Sequence, residues 1–343
     1  MKFRKFPNAN VAPVSEIGFG LWTVSTGWWG TYTEAEAIAL MHRALDLGIN
    51  LFDAADTYGN GLSEELIAKA FPTRRDDIVI ATKVGYDFYN HGEERRGQRE
   101  IPQNFSPTFI REAVEKALVR LKTDRIDLLQ LHNVKLEQVE DDALWQLLID
   151  LKAEGKILGY GGALGPAIGW LFEGVDCVQK RKPDVFQHIY NLFETYPGKN
   201  IMDAADEDRT RFLIRVTHSS GMLEGRYTED TVFPPGDHRV HRPRSWLLNG
   251  VKKVETLRFL ESGQRNLGQA ALQWLLLDQR IASCLPNIYN AEQLEEFAKA
   301  VDCPPLTAEE IKRIDELRLF NFGVEEEASK FKGTMERQTT AAV

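Results

Sequence analysis

Asp53 and Tyr58 close the apolar run NLFDAADTYG, Lys83 stands in ATKVG, and His132 stands in LLQLHN. Each residue sits at or just beyond the end of a short strand-like stretch, so a fold that gathers strand ends would bring all four to one place. A tyrosine near its ordinary pKa of about 10 is a weak acid-base catalyst at neutral pH unless a cation stabilises its phenolate. Lys83 offers that cation. Asp53 offers the counter-charge that keeps a buried ammonium protonated and pointed at Tyr58, and His132 could hydrogen-bond a carbonyl oxygen. Taken singly, each has a plain structural use: Lys83 could snorkel, His132 could be a satisfied core histidine, and Tyr58 could pack. Taken together they imply general acid-base chemistry on a carbonyl or alcohol. With no metal-ligand cluster in the sequence, hydride transfer is the natural partner reaction.

The elements that must position these residues follow from hydropathy. Eight strand-like runs, EIGFGLW, NLFDAAD, DIVIATKVG, RIDLLQLHN, KILGYGGAL, DVFQHIYNLF, FLIRVTHSS and IASCLPNIY, are rich in residues of doubly covered parallel strands. Amphipathic stretches at helical spacing separate them, among them TEAEAIALMHRALDLG, SPTFIREAVEKALVRLKTD and DDALWQLLIDLKAEGK. Strand then helix, eight times, predicts an α/β chain folded as a (β/α)8 TIM barrel. The rival open, doubly wound sheet would want a Gly-rich fingerprint after its first strand, which is missing. Such a barrel needs about 250 residues, and the remainder is predicted as a floor hairpin over 1–15, long loops over 86–105 and 226–244, an extra carboxyl-terminal helix in LTAEEIKRIDEL, and a tail. The chain thus reads as one barrel domain: hairpin 1–15, barrel with loops 16–318, tail 319–343.

Composition narrows the function classes. With 42 Lys and Arg against 51 Asp and Glu, the net charge of −9 argues against a polyanion-binding surface, so nucleic acid is not an expected partner. The three cysteines, Cys177, Cys284 and Cys303, lack the spacing of a zinc or redox pair and fit a reducing compartment. No window approaches eighteen uninterrupted apolar residues and the amino terminus has no continuous apolar core, so no membrane association and a cytoplasmic location are expected. Oligomeric state is not legible. A metal pair at His238 and His241 in DHRVH is disfavoured by its three flanking arginines.

NLFDAADTYGNGLSEE, ATKVG, DRIDLLQLHN and SSGMLEG, in this order, resemble the aldo-keto reductase superfamily over nearly the whole chain. The resemblance implies a (β/α)8 barrel that binds NADPH, less often NADH, across its carboxyl-terminal mouth. It also implies a catalytic tetrad of Asp53, Tyr58, Lys83 and His132, with Tyr58 donating the proton in carbonyl reduction. Gln187 in VFQHIYN matches the glutamine on the nicotinamide carboxamide. The expected serine and asparagine after strand five are replaced by Ala163 and Leu164, and Arg215 stands where the family presents an aromatic residue against the nicotinamide. A cation stacked on an oxidised nicotinamide is unfavourable, so Arg215 is expected to pair with an acid or to lie to one side. Trp22, Ser219, Gly221 and Leu223 complete the cofactor candidates near the nicotinamide and pyrophosphate. At the adenosine end, Asn287, Tyr289, Gln293 and Glu296 occupy the contact positions, but the basic residue for a 2′-phosphate is missing. NADP(H) is therefore favoured by resemblance and NAD(H) is plausible, with Arg226, Arg239, Arg242 and Arg244 as candidates to supply the charge, Arg239 or a neighbour first.

Trp22, Trp28, Trp29, Tyr32 and Phe88 are the substrate-pocket candidates, a composition suited to an apolar or ring-shaped ligand. Arg95, Arg96 and Arg99 could meet an acidic substrate, although Glu93, Glu94 and Glu100 make a self-paired run the better reading. The leading function is oxidoreduction of an aldehyde, ketone or aldose and the corresponding alcohol. A nucleotide-sensing subunit resembling potassium-channel β-subunits is the alternative, and non-redox chemistry on a carbonyl compound is a more distant one.

Overall fold

In this computed structural model, residues 1–92, 100–165 and 170–325 are described. Ten strands follow in chain order: β1 (Phe3–Arg4), β2 (Val14–Ser15), β3 (Phe19–Gly20), β4 (Leu51–Asp53), β5 (Val79–Val84), β6 (Ile126–His132), β7 (Ile157–Ala163), β8 (Val185–Ile189), β9 (Arg211–Arg215) and β10 (Ile281–Leu285). β3 to β10 pair in sequence order, every pair parallel. The cylinder closes where Gly18 donates to the Cys284 carbonyl and Cys284 donates to that of Glu16, both at 2.8 Å. β1 and β2 form the antiparallel floor hairpin.

Helices cover the outside, and their starts are chemically marked. Thr33 caps Glu34–Asp46 in a reciprocal box with Glu36, Ser106 caps Pro107–Leu121, and Asp141 caps Asp142–Ala153. Each cap satisfies amide donors that the first helical turn leaves free. Thr307 and Glu310 do the same for the extra helix Ala308–Leu319. Beyond it Phe322 is buried and packs against Phe193 at 5.0 Å, so the first residues assigned to the tail dock on the barrel. Most of that tail, 326–343, lies outside the described residues.

Strand alternation sorts side chains into an inner and an outer shell. Phe52, Ile80, Leu129, Phe186 and Ile214 face the helices, whereas Leu51, Val79, Ala81, Leu128, Val185 and Leu213 fill the barrel from inside, closed below by Phe6, Val11 and Val14. Two residues further along each strand, the same inward alternation delivers Asp53, Lys83, Gln130, Gln187 and Arg215. The inner barrel is thus apolar at its floor and ionisable at its mouth. Gly161 lets β7 and β8 approach, since a Cβ there would lie 1.6 Å from the Val185 carbonyl oxygen.

Five of the predicted strands stop two or more residues short, β4 among them at Asp53. β3 keeps only Phe19–Gly20 before a helical turn at Trp22–Ser25, β8 ends at Ile189, β9 at Arg215, and β10 at Leu285, just before Pro286, which has no amide to donate. The surplus residues form the rim. The loop over 86–105 contributes the short helix Phe88–His91 and a bridge between Tyr86 and Gln103. The loop over 226–244 crosses the mouth and ends in the turn His238–His241.

Candidate active site

Lys83 is wholly buried. Its Nζ donates to Asp53 Oδ2 at 2.7 Å and to the Ala54 carbonyl at 2.8 Å, and it lies 5.0 Å from the centroid of the Tyr58 ring. A buried ammonium needs a counter-charge, and the register supplies it: Asp53 stands opposite Ala81, so Lys83 leans across one strand to reach it. Asp53 Oδ1 accepts from Gln187 Nε2 at 2.9 Å and from Gln130 Nε2 at 3.3 Å. Tyr58 follows β4 on a turn held by its amide bond to Ala55 and by Ser63 Oγ donating to the Ala55 carbonyl at 2.8 Å.

His132 ends β6 and presents its ring edge-on to Tyr58 at 5.8 Å and to Tyr86 at 5.0 Å. Gln103 returns from the long loop to donate to the His132 carbonyl at 2.9 Å, pinning the end of that strand. Behind the site, Glu64 accepts from Thr82 Oγ1 at 2.6 Å and from Arg120 Nε at 2.7 Å, and Arg120 reaches the Tyr89 hydroxyl at 3.2 Å. The second carboxylate of DAAD, Asp56, is buried beside this cluster, and desolvation, then Glu64, push it well above the usual carboxylate range. It belongs to the support of the site rather than to its open face.

A cavity of about 470 Å³ opens over the tetrad. Its wall runs from Asp53, Tyr58 and His132, through Gln187 and Arg215, to Ser220, Arg242 and Asn287, with Trp22, Trp28 and Trp29 on one flank. Thus Trp22, Gln187, Arg215 and Asn287 are brought to the same space as the tetrad. Arg215 pairs with no acid among the described residues. Its Nη2 donates to the carbonyls of Leu164 and Gly165, the latter at 2.9 Å, and it lines the cavity. The expected pairing with an acid fails because β9 points this side chain inward, where carbonyls just beyond β7 accept from it.

The remaining cofactor candidates are placed as follows. Ser219 donates its hydroxyl to Glu194 at 3.0 Å; Leu223 is fully buried; and Ser219, Ser220 and Gly221 all have positive φ in the turn after β9. Val216, a β-branched residue at φ 56°, opens the same turn, a conformation that must be held by its surroundings. Arg226 pairs with Glu296. Gln293 is engaged on both sides, accepting from the Tyr289 amide and donating to Glu224, each at 2.8 Å. Burial pushes the Glu224 carboxyl up to about 7. Arg239 does not offer a free charge: Asp237 holds it through two hydrogen bonds, and its guanidinium lies 4.6 Å from the Phe233 ring and 4.7 Å from the Trp29 ring. Its neighbour Arg242 lines the cavity, with Nη2 3.2 Å from Ser220 Oγ.

Two pocket candidates fall elsewhere. Tyr32 donates its hydroxyl to the Tyr289 carbonyl at 3.0 Å, and the Tyr289 ring packs against Trp29 at 5.5 Å. Phe88 joins Tyr86 and Ile101 in a small buried cluster and lies on Tyr89 at 4.1 Å. Arg95, Arg96, Arg99, Glu93 and Glu94 lie outside the described residues. In their place the wall holds Tyr86 and Asn133, which were not among the sequence candidates, and His238, which was weighed there only as half of a disfavoured metal pair. Asn133 Nδ2 donates to the Tyr86 hydroxyl at 2.7 Å. His238 stacks on Trp28 and Trp29 at 5.7 and 5.6 Å, its amide bonds the Trp28 carbonyl, and desolvation lowers its pKa to about 4. Asn133 was visible beside His132; the place of His238 in the aromatic wall gave no signal, because its neighbours Trp28 and Trp29 come from the far end of the chain.

Comparison with known proteins agrees with this geometry. The model of the aldo/keto reductase family matches residues 16–319. Aldo-keto reductase YhdN of Bacillus subtilis is 31% identical over 272 residues, covering 76% of this chain and 77% of its own length. L-glyceraldehyde 3-phosphate reductase of Escherichia coli K12 is 27% identical, covering 87% of this chain and 89% of its own. The holo structure of aldo-keto reductase AKR11C1 from Bacillus halodurans superposes with a TM-score of 0.71 at 28% identity, covering 92% and 96% of the two chains. The chain belongs to the aldo/keto reductase family, and with it to the NAD(P)H-dependent reductases.

Proposed function

We propose that the protein reduces the carbonyl group of an aldehyde, ketone or aldose of modest size, and oxidises the matching alcohol in reverse, with Tyr58 as the general acid and base. The observation that carries this reading is the Asp53–Lys83–Tyr58 arrangement: a buried carboxylate fixes an ammonium beside a phenol at the floor of an aromatic cavity. In carbonyl reduction the phenol gives its proton to the carbonyl oxygen as that oxygen gains charge. The negative charge left on Tyr58 then sits beside Lys83, whose own charge is held in place by Asp53. His132, adjacent to Tyr58, orients the carbonyl, and the tryptophans and Tyr86 exclude water around it.

A nicotinamide dinucleotide suits the rest of the cavity. Its wall continues from the tetrad past Gln187 and Arg215 to Ser220, Arg242 and Asn287, and the buried Nε of Arg215 has no hydrogen-bond partner. These residues would hold the cofactor, which supplies the hydride when bound. At the adenosine end, Arg226 is neutralised by Glu296 and Arg239 by Asp237, leaving Arg242 as the cation on the cavity wall. A 2′-phosphate gains little from already paired arginines, so NADH is used alongside NADPH.

The test is Tyr58→Phe. Carbonyl reduction should fall by at least about a thousandfold, in line with losses from removing a general acid, while dinucleotide affinity measured by tryptophan quenching stays within about twofold. Retained activity would refute the mechanism. The regulatory-subunit alternative is separated by the wild-type enzyme: cofactor release much slower than any turnover would favour it, and release that keeps pace with turnover would not.

A further inference from the structure

The nicotinamide end of the cavity carries a charge that the chain leaves uncompensated. Lys83 is neutralised by Asp53 at 2.7 Å. Arg215 is not: its recorded acceptors are the neutral carbonyls of Leu164 and Gly165, and among the described residues no carboxylate forms an ion pair with it. Burial pulls its pKa down, opposed chiefly by Tyr58 and then Asp53, which places the guanidinium within electrostatic reach of the reacting groups. A guanidinium keeps its proton even so.

Resting on the reductase reading above, the reactive ring of the dinucleotide has to lie within hydride reach of a carbonyl held by Tyr58 and His132, and therefore in the part of the cavity that Arg215 lines. The reduced ring is neutral and the oxidised ring carries one positive charge; the two cofactor forms share everything else. We infer that Arg215 makes this site discriminate cofactor redox state, binding the reduced dinucleotide more tightly than the oxidised one and so keeping the free enzyme loaded for carbonyl reduction, at some cost to the driving force of the bound hydride transfer. Like charges about 6–10 Å apart at an effective dielectric near 20 shift an equilibrium by roughly fifteen- to a hundredfold. Each tenfold preference for the reduced form raises the potential of the bound two-electron couple by about 30 mV. The same repulsion speeds departure of the spent cofactor after each reduction.

The experiment is a set of direct titrations, by tryptophan quenching, of the wild-type protein, Arg215→Gln and Arg215→Lys with NADPH, NADP+, NADH and NAD+. Wild type should bind each reduced form at least about tenfold more tightly than its oxidised partner. Arg215→Gln should collapse that ratio by at least about fivefold, through tighter binding of the oxidised forms, and Arg215→Lys should keep most of it. A wild-type ratio near unity, or a ratio unchanged in Arg215→Gln, would overturn the inference while leaving the reductase reading intact. The wild-type ratio decides the matter even if a variant does not fold. Failure of all four dinucleotides to bind would overturn the reductase reading, and this inference with it.

Discussion

Asp53→Asn isolates the electrostatic link on which the site depends. The substitution keeps the shape of the side chain and removes its charge, leaving the fully buried Lys83 ammonium with neutral acceptors alone, the Ala54 carbonyl among them. The amide also fits badly as a hydrogen-bond partner. Asp53 meets donors on both oxygens, Lys83 on Oδ2 and the amides of Gln187 and Gln130 on Oδ1, whereas asparagine has one accepting end and one donating end, so either orientation sets a donor against a donor. Breaking a buried ion pair from one side costs about 3–5 kcal/mol. Lys83→Met should cost a similar amount by stranding the carboxylate. The double variant should recover part of the sum, with a coupling of about 1–3 kcal/mol, because the two losses share one interaction. Urea unfolding followed by tryptophan fluorescence at pH 7 measures all three against wild type. An Asp53→Asn midpoint equivalent to less than about 0.5 kcal/mol of destabilisation, or strictly additive single variants, would show that the pair does not hold the ammonium in place and would remove its positional role.

Arg242→Ala tests the adenosine end. If Arg242 meets the 2′-phosphate, NADPH affinity should fall about ten- to thirtyfold, as expected for loss of a charge-assisted contact, with NADH affinity changed less than threefold; equal losses for both would assign Arg242 to the shared pyrophosphate. His218 tests the pH response of the packing. It is buried against Phe297 at 4.6 Å, with Nε2 3.0 Å from the Gly268 carbonyl, and desolvation lowers its pKa to about 4. The unfolded chain takes up the proton near pH 6.5 and the folded chain only near 4, so its contribution to stability is complete above pH 6.5 and is lost as pH falls towards 4. Between pH 7 and 5 the loss is roughly 2 kcal/mol. His188, shifted the same way, and Glu224, raised to about 7, titrate in both proteins. Unfolding of His218→Gln should therefore show a pH 7-to-5 difference smaller than wild type by that amount, and an identical difference would assign the shift elsewhere.

What the sequence made legible follows from which interactions are local. Strand alternation is a property of neighbouring residues, so the step from Val79 and Ala81 to Lys83, or from Leu51 to Asp53, could be read as an inward face ending in chemistry, and the barrel count and the four convergent residues follow from it. Strand ends were overrun for a related reason. The barrel mouth is itself lined by apolar and aromatic residues, so hydropathy continues smoothly from β10 through Pro286 and Ile288 into the rim, and only the hydrogen bonds stop.

Contacts across sequence distance were not legible. Arg239 was a sensible phosphate candidate as one of a run of cations, yet the structure folds that run over the mouth, where Asp237 and the rings of Trp29 and Phe233 hold the guanidinium. The basic position next in line on the cavity wall is Arg242, which leaves the 3-10 turn His238–His241 in extended backbone. Arg215 shows the same limit from the other side. Its inward position could be deduced from β9, but its partners lie just beyond β7, two strands away, and carbonyl oxygens carry no mark in a sequence. A buried cation supported by neutral acceptors keeps its charge available to whatever enters the cavity. That is why a substitution that looks like the loss of an aromatic platform reads, in three dimensions, as the gain of a field directed at the ring whose charge changes during the reaction.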